Sequence, residues 1–181
     1  AVLRRAAAGD FPSVDGVAEL LPPDTGGTHA VVCFTGHAYL LTDATAGSIA
    51  RFAPDGYGAA LAPELLVALA GVDREIGSTD VVLVHHGLGG GSGLVERTDL
   101  RNHPRVERSR EHRRGVRVLG DERGLVTIGA GLVGRTELSV ELTDGEHGRG
   151  AGRDLVASAL REIAAGEPVF AQVAAGNAAS L

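Results

Sequence analysis

Residues 136–166 read TELSVEL, then TDGEHGRGAGR, then DLVASALREIAAG, and this stretch decides the fold. Leu138, Val140 and Leu142 alternate with Glu137, Ser139 and Glu141, the period-2 pattern of a strand with one apolar face. Leu155, Val156, Ala159, Leu160 and Ile163 recur at helical spacing, and Gly166 stands where the helix should be capped. Between strand and helix lie Gly148, Gly150 and Gly152, interleaved with Arg149 and Arg153. Glycines let the backbone turn tightly and aim several N–H groups at one point, where a helix N-terminus adds about half a positive charge. The segment therefore predicts an anion seat, and the two arginines suggest phosphate.

Two phosphate-binding classes are excluded by the residues themselves. A P-loop needs a lysine after its glycines, and all 17 basic residues counted as Lys or Arg here are arginines. A dinucleotide fingerprint needs G-x-G-x-x-G, but the sixth position is Arg153 counting from Gly148 and Leu155 counting from Gly150.

The run His147-Gly148-Arg149-Gly150-Ala151-Gly152 resembles the pyrophosphate loop of the GNAT acetyltransferase superfamily, Gln/Arg-x-x-Gly-x-Gly/Ala, with His at the first position. Downstream, Pro168–Val173 reads as the next strand, and Asn177-Ala178-Ala179-Ser180 is similar to the superfamily's Asn-x-x-Ala/Ser helix start. The resemblance covers 117–181. It implies an α/β fold with a GNAT-like mixed, mostly antiparallel sheet flanked by helices, preceded by an additional α/β N-terminal region. It also implies an acyltransferase that moves an acetyl group from acetyl-CoA to an amine. Cofactor contacts are then expected at Val140, Leu142, His147, Gly148, Arg149, Gly150, Ala151, Gly152, Arg153 and Asn177. Glu137 and Glu141, on the polar face of the strand, are the candidate general bases, since the amine must lose a proton. Glu146 is a weaker candidate, and a bulge in the strand would change which face each residue occupies. By the same resemblance Asn177 opens a helix leading to a final β-hairpin, so the native chain is expected to continue past Leu181. No metal is implied. Two other readings stay open: a non-catalytic CoA-binding sensor or scaffold, and a hydrolase using Ser92 with His85 or His86.

Composition bounds the alternatives. At 181 residues with 44% hydrophobic content, the chain can bury one generous core or two small ones. A net charge of −6 argues against general nucleic-acid binding. Cys33 is the sole cysteine, so neither a disulfide within this sequence nor a CxxC zinc site can form. No run approaches about 18 apolar residues, so no membrane span is expected, and a cytoplasmic location is the default. The expected partner is a small-molecule or peptide amine; a homodimer is also kept open.

The first hundred residues predict a lead-in over 11–21, a β-hairpin over 29–42 turning at Thr35-Gly36, and a short helix over 45–52. A helix over 62–70 begins with Pro63 and ends at Gly71, and a buried strand follows over 79–84. His85-His86-Gly87-Leu88-Gly89-Gly90-Gly91-Ser92-Gly93 resembles the oxyanion segment of some esterases. It lacks Gly-x-Ser-x-Gly, because Leu94 stands at the last position, and it reads more simply as a flexible connection or hinge. Eight arginines between Arg97 and Arg117 predict a solvated helix over 104–114 laced with pairs such as Glu107–Arg110. Strands 116–119 and 125–130 then form a meander with 136–142. The domain boundary is expected at 95/96, with the acyl-CoA core in 96–181.

Overall fold

The computed structural model describes residues 2–146, 148 and 150–181. The chain divides into two compact units, 1–78 and 79–181. In the first, α1 (Val2–Ala7) precedes β1 (Ala18–Leu21), β2 (Ala30–Phe34) and β3 (His37–Leu41). The expected hairpin forms, with Phe34 opposite His37 across the Gly36 turn, and β1 adds parallel to β3, so β3 is central. A capping box opens α2 (Ala46–Ile49): the Ser48 N–H donates to Thr45 Oγ1, and the Thr45 N–H to Ser48 Oγ. In α3 (Pro63–Ala70), Pro63 occupies the first turn, where its missing N–H costs nothing. Ala38, Leu40, Ile49, Ala60 and Leu65 make this unit's core.

The second unit contains β4 (Asp80–His86), β5 (Val95–Glu96), α4 (Pro104–His112), β6 (Arg114–Asp121), β7 (Gly124–Ala130), β8 (Thr136–Leu142), α5 (Ala151–Arg161) and β9 (Pro168–Ala174). Its six strands lie in the order β4-β9-β8-β7-β6-β5, antiparallel except for β8 beside β9. The mixed sheet is open and carries helices on both faces. On one face α5 buries Leu155, Ala159 and Leu160 against Val126, Ile128, Leu138 and Val169. On the other, Val106 of α4 packs on Val118 and Leu125. The α5 stripe is the larger, and truncating a fully buried leucine such as Leu155 to alanine should cost about 2–5 kcal/mol.

The division falls at 78/79, not 95/96, because β4 pairs with β9 over its whole length and so belongs to the second sheet. This strand is an edge, and Val81, Val82 and Val84 are exposed, contrary to the buried strand expected from its apolar run. Continuous hydrophobicity does not by itself distinguish a central strand from an edge. The side of β9 away from β8 is taken by β4. Asn177 opens a turn, with the Ser180 N–H donating to its carbonyl at 3.0 Å, and no helix follows it through Leu181.

The glycine-rich segment after β4 is not a hinge. Leu88, Gly89 and Gly91 donate their N–H groups to the carbonyls of Leu160, Ile163 and Arg161 at 2.8, 2.9 and 3.1 Å. Leu160 and Arg161 close α5, where the last carbonyls lack i+4 donors, and Ile163 lies just beyond its end. Gly87 must be glycine for the close approach, since a Cβ there would collide with the Ala164 carbonyl. The loop is a built cap.

Candidate functional site

β8 presents two different faces, and the structure assigns them without a break. Its register with β7 runs continuously from Thr136 opposite Ala130 to Leu142 opposite Gly124. The irregularity in the sheet lies instead in β6, between Arg114 and Arg117. Leu138, Val140 and Leu142 therefore face α5, while Glu137, Ser139 and Glu141 face the side of α4.

The two candidate bases fall in unlike surroundings. Glu137 is only 4% exposed. Its Oε2 accepts from Arg113 Nε at 2.9 Å, and its Oε1 from Arg135 Nε at 2.7 Å and the Leu132 N–H at 3.3 Å. Gly131 makes room for this carboxylate, because a Cβ at that position would overlap it. Arg135 is 2% exposed and lies over the Phe170 ring at 5.2 Å. From Arg113, Nη1 continues to Thr127 Oγ1 and Ser139 Oγ, each at 3.2 Å. Thr127 joins Ser139 at 2.6 Å and Ser109 of α4 at 2.8 Å. Glu137 is thus the anion of a buried network, and a proton acceptor role would require breaking its ion pairs. The candidate base expected on the polar face of the strand at Glu137 is a buried, doubly paired carboxylate.

Glu141 is half-exposed. Arg105 Nε donates to its Oε2 at 2.9 Å, and His103 Nε2 lies 3.7 Å from Oε1. His103 caps α4, its Nδ1 accepting the Arg105 N–H at 3.2 Å, so in the neutral ring the proton sits on Nε2, toward Glu141. A cleft of about 280 Å³ opens here, with Arg97, His103, Asp121, Glu141, Leu142 and Asp144 in its wall. Asp121 is held below the usual carboxylate range, chiefly by the hydrogen bond from Arg123. Arg97 is raised by its bond to Asp99.

At least four of the eight arginines between Arg97 and Arg117 pair with carboxylates inside the unit. Arg97 pairs with Asp99, Arg105 with Glu141, Arg113 with Glu137, and Arg117 with Glu96 and Glu162. The expected pairing along one helix face gives way to pairing with carboxylates outside α4.

At the end of β8 the chain enters the glycine loop. Gly148 and Gly150 adopt φ of 79° and 85°, left-handed values that glycine tolerates, and Gly150 is the residue from which α5 starts. Among the described residues, no side chain caps this helix end. Ala151 is buried, Gly152 faces the Leu142 side chain, and Arg153 is exposed. His147 and Arg149 lie outside the described residues.

Ser92 is a structural residue. Its hydroxyl donates to Glu162 Oε1 at 2.7 Å, its N–H to the same oxygen at 2.9 Å, and the Leu94 N–H donates back to Ser92 Oγ at 3.1 Å. Glu162 is held below the usual carboxylate range first by the Ser92 hydroxyl, then by the Ser92 N–H and Arg117. His85 and His86 are exposed, and Nδ1 of His85 donates to the His86 carbonyl at 2.8 Å. The Ser–His pair that a hydrolase needs does not form among the described residues.

Arg113, Arg135, Thr127 and Ser139 were not expected at the site. No local pattern announces them, because their partners lie 12 to 26 positions away, except for the Arg135-x-Glu137 spacing. Among the described residues, no group of three or more His, Cys, Asp or Glu could hold a metal, and no helix is long and apolar enough to cross a membrane. No protein-family model, no curated protein and no solved structure matches this chain.

Proposed function

We propose that the second unit binds an acyl-CoA, with acetyl-CoA the first to try, and transfers its acyl group to an amine, in the manner of the GNAT superfamily that residues 117–181 resemble. One observation carries this reading. β8 and β9 run parallel but pair only at Thr136–Val169 and Glu137–Phe170, while α5 begins in a glycine loop at the far end of β8. Parallel strands that part leave backbone N–H and C=O groups on their facing edges, and an extended pantetheine arm offers amides to match them. The first turn of α5, with no cap from a described side chain, suits a pyrophosphate, and the exposed Arg153 in that turn would add charge.

In this reading Val140 and Leu142 lie along the pantetheine, and the Leu142 N–H polarises the thioester carbonyl. Glu141, half-exposed in the wall of the cleft, takes the proton as the amine nitrogen attacks the carbonyl carbon. The C–S bond then breaks and the thiolate leaves. Glu137 positions β8 and takes no proton.

A second reading, CoA binding without turnover, is favoured by one fact: both strand carboxylates already have arginine partners. The test is thermal stability with acetyl-CoA, CoA and NADH, for the parent protein, Gly150→Glu and Gly150→Asn. A ligand at 100 times its Kd stabilises by about 2.7 kcal/mol. The expected result is stabilisation by the CoA forms alone, kept in the asparagine variant, which tolerates the left-handed backbone, and lost in the glutamate one. No response from folded parent protein overturns both readings. Binding without acyl transfer to any of a panel of amines leaves the second.

A further inference from the structure

The two edges of the six-stranded sheet are treated differently. At one end β5 is two residues long and carries Glu96, the short, charged edge by which sheets avoid further pairing. At the other end β4 is seven residues long, contains neither proline nor lysine, and pairs in unbroken register with β9. Val81, Val82 and Val84 on it are 41%, 41% and 46% exposed. Unprotected edges of this kind add a strand.

We propose that this edge takes the β4 of a second copy of the chain, joining two sheets about a two-fold axis at Leu83. A two-fold axis perpendicular to the sheet requires opposite residues to share a face, so the sum of their numbers must be even. Only the register centred on Leu83 overlaps all seven residues. It sets Asp80 against His86 of the other copy, Val81 against His85, and Val82 against Val84. The strand is therefore complementary to its own reverse: acid meets imidazole at both ends, and Val82 and Val84 of the two copies form one apolar patch across the seam. A register slipped by two residues loses the Asp80–His86 pairing and leaves two residues of each strand uncovered. This inference stands on β4 alone, whatever the second unit binds.

The test uses the full chain at about 100 µM, with mass read by sedimentation equilibrium. The expected species has twice the 18.5 kDa mass of the chain. Val82→Lys with Val84→Lys puts like charges on facing positions and should return it to monomer with its melting transition retained. In a Cys33→Ser background, Leu83→Cys should cross-link under mild oxidation, because directly opposed Cα atoms lie about 4.5–5.5 Å apart, within disulfide reach. Val95→Cys, on the other edge, should not. A monomeric parent protein overturns the proposal. So does a dimer that survives the lysine substitutions or fails to cross-link at Leu83→Cys.

Discussion

Arg113, one residue beyond α4, places its Nε 2.9 Å from Oε2 of Glu137 on β8, and the two side chains are 11% and 5% exposed. The pair ties the α4 side of the sheet to the strand on which the proposed chemistry depends. Removing one partner leaves the other charged and buried, which costs about 3–5 kcal/mol, whereas replacing both with apolar groups can be neutral. We expect Glu137→Leu, which leaves both Arg113 and Arg135 without their carboxylate, to lower the unfolding free energy by an amount in that range, and Arg113→Met to cost less, since Glu137 keeps Arg135. The double variant should lose less than the sum of the two without full recovery, because Arg135 stays buried without its carboxylate. Urea titrations of the three variants measure this, and additive losses would show that the pair is not energetically coupled.

Gly131 is required by the same carboxylate. Alanine there would push its Cβ into Glu137, so the strand or the ion pair must shift. Gly131→Ala should destabilise by at least about 1–3 kcal/mol, the range for overpacking a core. In a Glu137→Ala background the same substitution should cost less than it does in the parent, because the carboxylate that its Cβ meets is gone. Thermal denaturation decides.

Glu141→Gln separates binding from turnover. If the half-exposed carboxylate accepts the proton, acyl transfer should fall about 10²–10⁴-fold, with the response to acetyl-CoA unchanged. Glu137→Gln, if folded, should change rate mainly through stability. A Glu141→Gln variant with parental rates would remove the carboxylate from the mechanism.

Ser92 is predicted to matter for stability and not for ester hydrolysis. Ser92→Ala removes a hydroxyl bond to a carboxylate and should cost about 1.5–3 kcal/mol. The native carboxyl of Glu162 titrates below its ordinary value, so its contribution is present above the unfolded-state value and is lost as pH falls through the native one. The gap between parent and Ser92→Ala should therefore narrow on acidification below about pH 4.5. A pH series of melting curves tests the sign. A constant gap would mean the hydroxyl does not hold that carboxylate down.

The sequence alone determined much of the secondary structure. The hairpin at Thr35-Gly36, α3 with Pro63, the meander of β6, β7 and β8, and the glycine entry to α5 all rest on periods and turn residues carried within a few positions. It also limited the chemistry, because an absent lysine and a broken glycine spacing exclude whole classes of site. The tertiary structure decided what the side chains do. Glu137 and Glu141 are indistinguishable in a pattern of alternating residues, yet one is buried between two guanidiniums and the other lines a cleft. The glycine run after His86 looks mobile in one dimension and becomes a cap because its N–H groups meet the carbonyls of Leu160, Arg161 and Ile163 at and just beyond the end of α5. The edge position of β4 follows from pairing with a strand about 90 residues later, and the physical reason is common to all three. Burial and partnership depend on which distant segments the sheet brings together, and local periodicity carries no record of that choice.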